Sequence, residues 1–328
     1  MTIYNVFTKK QIEKKRLSKT ANAIGGAFII GFGFSTLFQI ALMLVLQSQK
    51  QTDLLYNDGF QWILQIVLST FMFTVPFIIM TKPMNVRVSA VCPLSKPKKG
   101  TFLPVVLCGI GLCMLANIFS SMAESVFHYF GISTGSGSLS TDSSGGFYIP
   151  VVALVAGAVL PALVEEFALR GVVLGALRRF GDRFAIVASA ILFGLMHGNL
   201  QQIPFSFAVG LYLGFAVVRT GSMWAGVILH MVNNAAAFGI SILASNVSQK
   251  AYSMINCAWF FSAVFLGFLG LLFANKKEEL FRLPPEKDST LTFSEKLGAT
   301  FFTPCMILFI LYIVFEIVLI QIQSVLMA

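Results

Sequence analysis

Charge is what this sequence has least of. Only 11% of its 328 residues are Asp, Glu, Lys or Arg, against 56% hydrophobic residues and 33 phenylalanines. A water-soluble domain of this length cannot cover its surface with so little charge, which excludes a soluble globular fold. The five cysteines (Cys92, Cys108, Cys113, Cys257, Cys305) show no CxxC spacing and fall mostly within apolar runs. Neither a disulfide framework nor a zinc ribbon is indicated. No internal repeat is visible, and no matching pair of broken apolar helices of the kind many transporters carry. The first apolar stretch is too long for a signal-peptide core and no small-residue cleavage site follows it, so it is expected to stay as a span.

What is abundant is apolar runs long enough to cross a bilayer, and they recur along the whole chain. The expected fold is an all-α, polytopic transmembrane helical bundle of about nine spans, near 22–47, 60–81, 101–122, 148–176, 184–197, 203–218, 222–245, 252–274 and 301–326. A net charge of +9 would point to a polyanion partner in a soluble protein. Here topology accounts for it and nucleic acid is not an expected partner; the lipid bilayer is. Of the 23 Lys and Arg, 20 fall in segments that the nine-span scheme places on one side. Lys50 and Lys250 fall on the other side, and Arg170 within the membrane. The positive-inside rule then puts the N-terminus in the cytosol. Short loops without a large soluble domain suit a prokaryotic plasma membrane. Three segments are distinguishable: an N-terminal three-span unit over 1–146, a motif-bearing core over 147–245, and a C-terminal two-span extension over 246–328. The Gly/Ser-rich stretch GISTGSGSLSTDSSGG closes the first as an external, flexible loop.

The core holds nearly all the intramembrane polar residues. In PALVEEFALRG, Glu165, Glu166 and Arg170 stand among apolar neighbours. Charges at that depth cost about 2.5 to 3.5 kcal/mol each on insertion scales and mark function by default. His197 and His230 lie in the next apolar segments, with Asn234 one turn beyond His230. Glu165 is 13 residues from Arg178, His197 is 14 from Arg183, and His230 is 11 from Arg219. At 1.5 Å per residue these give roughly 16 to 21 Å from the basic interface on three different helices. One carboxylate and two imidazoles in a common layer can share a pocket. Adjacent helical residues point about 100° apart. Glu166 and Arg170, four apart, therefore pair along one face, leaving Glu165 to face the pocket. His128, near Glu124 at the outer interface, reads as a solvated pair. Glu316, in the last span, reads as a helix-packing residue.

Such a set suits water-mediated hydrolysis. A carboxylate beside an imidazole can act as general base, while a second imidazole and a carboxamide can donate to a developing oxyanion. His and carboxylate are also zinc donors, although Asn234 is a poor one and a metal-free site without cofactor is favoured. No serine or cysteine takes a comparable position, which disfavours a covalent nucleophile.

The motifs EExxxR (Glu165, Glu166, Arg170), FxxxH (Phe193, His197) and HxxxN (His230, Asn234) resemble those of the CAAX protease and bacteriocin-processing family. Its eukaryotic members are the type II CAAX prenyl endopeptidases. The resemblance covers about residues 148–240. It implies an intramembrane endopeptidase in which Glu165 and His197 activate water while His230 and Asn234 hold the oxyanion. Its substrate would be a membrane-associated peptide or protein, of which a lipidated tail is one form. Two other classes stay open: a catalytically silent immunity or scaffold protein of the same fold, and a proton-coupled transporter. The pocket is expected to open toward the half of the bilayer nearer the basic segments.

Overall fold

The computed structural model describes residues 3–132, 148–275, 280–285 and 288–327, and every regular element among them is helical. From residue 133 on, the Gly/Ser-rich loop lies outside the described residues. The principal helices are α1 (Ile3–Ser48), α2 (Asp58–Met84), α3 (Phe102–Tyr129), α4 (Pro150–Phe180), α5 (Asp182–Leu195), α6 (Gln202–Thr220), α7 (Trp224–Asn246), α8 (Gln249–Asn275), α9 (Phe293–Phe301) and α10 (Pro304–Met327). All but α5 and α9 are long and apolar enough to span a membrane, eight among the described residues. The protein is an all-α, multi-pass membrane bundle.

Eight replaces the nine expected. The exception is α5, whose 14 residues reach only about 21 Å, short of a hydrocarbon core about 30 Å thick. Gly198, at φ 60°, helps end the helical path just after His197. The segment is apolar because protein surrounds it: Phe184, Ala188, Ser189 and Leu192 are all buried. Lipid and protein interior select the same residues, so composition alone could not separate the two.

The basic segments gather at one end of the bundle. Arg179 donates to the Thr20 hydroxyl and to the Met84 carbonyl. The Lys98 amide donates to the Thr220 carbonyl, and Arg219 Nε to that of Leu280 at 2.7 Å. Lys10 pairs with Glu295 at 2.7 Å, where Thr292 and Glu295 form the capping box that starts α9. α5 rises from this end and α6 returns to it, so the chain keeps the parity of nine passes with eight full-length helices.

α1 and α10 run side by side: Phe28 stacks on Phe309 at 4.4 Å and Thr36 bonds Tyr312 at 2.8 Å. α3 and α8 cross at Gly111 and Gly267, where a Cβ on either residue would meet the other's Cα at 2.8 Å. Small residues at such a crossing let two backbones approach closely. The largest buried cluster, containing residues from Leu17 to Ile313, joins these layers to α4 at the centre.

Candidate active site

α4 is not a regular helix. Val155–Val159 and Phe167–Val173 are wide π-type turns on either side of the two glutamates. The first has a cause in the sequence. Pro161 has no N–H to offer the carbonyl of Gly157, four residues earlier, so the turn widens there. That carbonyl instead accepts from Asn234 Nδ2, 3.5 Å away on α7. Wide turns of this kind recur at functional sites.

Glu166 and Arg170 have fully buried side chains and are 2.7 Å apart. Arg170 also donates to the Gly210 carbonyl of α6 at 3.3 Å, and its guanidinium carbon lies 4.2 Å from the Phe193 ring centroid. The same Glu166 oxygen accepts from His230 Nδ1 at 3.1 Å. Glu166 thus neutralises an arginine and orients an imidazole. His230 Nε2 is left facing Glu165 Oε2 at 3.9 Å, too far for a hydrogen bond. Glu165 Oε2 is buried and has no hydrogen-bond partner among the described residues.

His197 completes the group. Its Nδ1 lies 2.7 Å from the Phe193 carbonyl, which can only accept, so the proton is on Nδ1. In the neutral ring Nε2 is then an acceptor, 3.4 Å from the Ser206 hydroxyl. Phe193 packs edge-on against both imidazoles, with centroids 5.1 Å from His197 and 5.6 Å from His230. Glu165, His197, His230 and Asn234 all line one cavity of about 390 Å3. Glu166 and Arg170 do not; they lie behind it.

Where this cavity opens differs from the expectation. Besides the four candidates it is lined by Trp62 and Gln65 near the start of α2, Gly157 of α4, Gln202 near the start of α6 and Ser241 late in α7. Each belongs to the part of its helix remote from the basic end. A site 16 to 21 Å from one interface is already past the midplane of a core about 30 Å thick, so the same depths place it in the far half.

Several residues at the site carried no recognisable signal. They are Ser206 of α6, which meets His197, and Asn233 and Gly226 of α7. Asn233 Nδ2 donates to Asn234 Oδ1 at 3.3 Å. Gly226 leaves room for Glu166: a Cβ there would lie 2.6 Å from Oε2. The doubled Asn in VILHMVNN and the proline four after Gly157 were the available hints. Of the other polar residues, Glu316 and His128 line neither this cavity nor its larger neighbour. Glu124, expected beside His128, accepts from Gln201 Nε2 at 2.8 Å.

Among the described residues no three of His, Cys, Asp or Glu are grouped so as to hold a metal ion. Both ring nitrogens of His197 already have partners in the protein.

Residues 147–236 match the family of Rce1-like type II CAAX prenyl endopeptidases. The "Putative membrane peptidase YdiL" of Bacillus subtilis (strain 168) is 30% identical over 87 residues, 26% of this chain and 35% of that protein. The similarity therefore spans about a third of that relative's length. No solved structure matches the chain. The segment bearing the three motifs is thus similar to the CAAX-type membrane peptidases, as EExxxR, FxxxH and HxxxN indicated.

Proposed function

We propose that this multi-pass membrane protein, whose motif-bearing core matches the type II CAAX endopeptidase family, is an intramembrane endopeptidase. The observation that carries the reading is the single cavity lined by Glu165, His197, His230 and Asn234. In the proposed reaction a water molecule lies between Glu165 and His197. The acceptor Nε2 of His197 orients it, and Glu165 takes its proton as the oxygen attacks the scissile carbonyl carbon. The developing oxyanion is met by Asn234 Nδ2–H and by His230. Because His230 Nδ1–H is committed to Glu166, donation from Nε2 requires a proton on both ring nitrogens. Collapse breaks the C–N bond, and Glu165 returns its proton to the leaving amine. A carboxylic acid and an amine result, with no covalent enzyme intermediate. Oriented donors in a site shielded from bulk water are usually the largest catalytic term.

The chemistry is proposed to need no metal, since Asn234 is a poor metal donor and three of the four imidazole nitrogens lie within hydrogen-bonding reach of protein groups. The test compares membrane and secreted peptides from cells carrying the wild type and Glu165→Gln, followed by purified enzyme before and after chelation and dialysis. Products that depend on Glu165 and survive chelation support the reading. An unchanged peptide profile in Glu165→Gln overturns the peptidase assignment, and zinc-restored activity after chelation overturns its metal-free form.

A further inference from the structure

A second cavity, of about 960 Å3, adjoins the first and shares Gln202, Phe205, Asn233, Asn234 and Ala237 with it. Its remaining walls come from α3, α7, α8 and Gln201 just before α6, and neither α3 nor α8 lies within residues 147–236. These two helices are pinned at the Gly111–Gly267 crossing. Beyond the crossing, toward the end remote from the basic segments, residues between 114 and 125 of α3 and between 256 and 261 of α8 contribute cavity walls. Asn117 and Ser121 on α3, and Asn256 and Cys257 on α8, are exposed where they line it. Carboxamides facing hydrocarbon without partners are costly. Their presence on two facing helices, at an opening continuous with Glu165, needs a polar occupant.

We infer that α3 and α8 frame a lateral entrance through which an uncharged, extended peptide segment passes from the membrane to Glu165. The inference rests on the peptidase reading above. A carboxamide offers both donors and an acceptor, which complements the alternating N–H and C=O of an unwound backbone. Such a backbone inside a bilayer must find partners, and this cavity supplies Asn117, Gln202, Asn233 and Asn256. No residue lining the larger cavity is charged. Arg170, behind the smaller cavity, is fully buried and committed to Glu166. A free C-terminal carboxylate would therefore meet no charged side chain along this entrance, whereas the interior of a neutral membrane segment needs none. The substrate class assigned is an internal, uncharged stretch of a membrane-inserted peptide.

Cys257 makes the test direct, because Cys92, Cys108 and Cys113 are buried and Cys305 is half-buried. The wild type in liposomes is treated with a charged, membrane-impermeant methanethiosulfonate, and Cys257→Ala is subtracted to isolate its adduct. The comparison position is Phe265→Cys in the Cys257→Ala background, since Phe265 is exposed on α8 but lines neither cavity. A thiol in a water-filled entrance should react at least about tenfold faster than one facing lipid. In Glu165→Gln, a synthetic Leu/Ala membrane peptide with a central Gly-Ser-Asn segment should slow modification of Cys257 several-fold. A short farnesylated peptide with a free carboxylate should not. Equal reaction at the two positions, no protection by the uncharged peptide, or protection by the farnesylated one alone overturns the inference. Protection without cleavage by the wild type would instead count against the peptidase reading and leave the entrance standing. Cleavage without protection would do the reverse.

Discussion

At the scale of single residues, two adjacent glutamates of one helix do different work because of what each touches. Glu165 faces a cavity and lacks a protein hydrogen bond at Oε2, while Glu166 is fully buried between Arg170 and His230. Glu165→Gln keeps volume and hydrogen-bonding capacity but removes the base, so cleavage should be abolished while folding stays largely intact. Glu166→Gln leaves Arg170 as an unpaired buried charge, and breaking such a pair typically costs about 3 to 5 kcal/mol. It should lower the melting temperature in detergent and also loosen His230. Replacing both Glu166 and Arg170 by apolar residues should recover part of the stability but not the activity, since His230 stays unheld. Melting curves paired with a cleavage assay check all three. A strongly destabilised Glu165→Gln beside a stable, inactive Glu166→Gln would exchange the two assignments. The ion pair was legible from four-residue spacing alone. The bond from Glu166 to His230 was not, because it joins residues 64 apart and no local pattern encodes it.

The same limit applies to Phe193, which sequence spacing gives only as one letter of FxxxH. Its ring lies against the Arg170 guanidinium and against both imidazoles. Phe193→Leu keeps most of the apolar bulk but loses the cation–π contact, worth about 2 kcal/mol or more where water is excluded. The expected result is a lower melting temperature together with a fall in kcat, as the imidazoles lose a shared wall. Unchanged turnover would mean that hydrogen bonds alone hold the two rings.

At the scale of elements, α4 is where the site is made and where sequence reading was least informed. An ideal helix was the basis for separating Glu165 from Glu166 by about 100°. That local inference describes the segment Leu160–Glu166 well, because both wide turns lie outside it. The wide turns themselves set where this segment points, and nothing but Pro161 announces the first. Pro161→Ala restores an N–H that can bond the Gly157 carbonyl and close Val155–Val159 into an ordinary helix. Alanine is also the better helix former, by about 3 kcal/mol in a regular helix interior. Thermal stability should therefore hold or rise, while activity falls because Asn234 loses its acceptor and the cavity wall rotates. A variant with full activity would show that the widened turn does not position the site. α5 carries the complementary lesson: its apolar composition was legible, but its length was not, since protein rather than lipid surrounds it.

For the whole molecule, the segments richest in Lys and Arg are drawn to one end by hydrogen bonds that the charge count did not contain, such as those of Arg179 to Thr20 and Met84. Charge partition and chain direction agree on which segments share an end, and the positive-inside rule assigns that end to the cytosol. The candidate cavity then lies in the opposite half of the bilayer, so orientation decides from which side a substrate would reach it. Lys98 and Lys250 are both exposed, at opposite ends of the bundle. In the Cys257→Ala background, Lys98→Cys and Lys250→Cys are each treated on intact cells with a membrane-impermeant thiol reagent, and again after permeabilisation. Lys250→Cys should label in both conditions and Lys98→Cys only after permeabilisation. The reverse pattern would invert the protein, put the cavity in the cytosolic half, and make a cytosolic peptide tail the geometrically accessible substrate. Labelling of both positions on intact cells would contradict the parity of nine passes, because residues 98 and 250 are separated by an odd number of crossings when α5 and α6 together carry the chain out and back, and by an even number when α6 crosses alone.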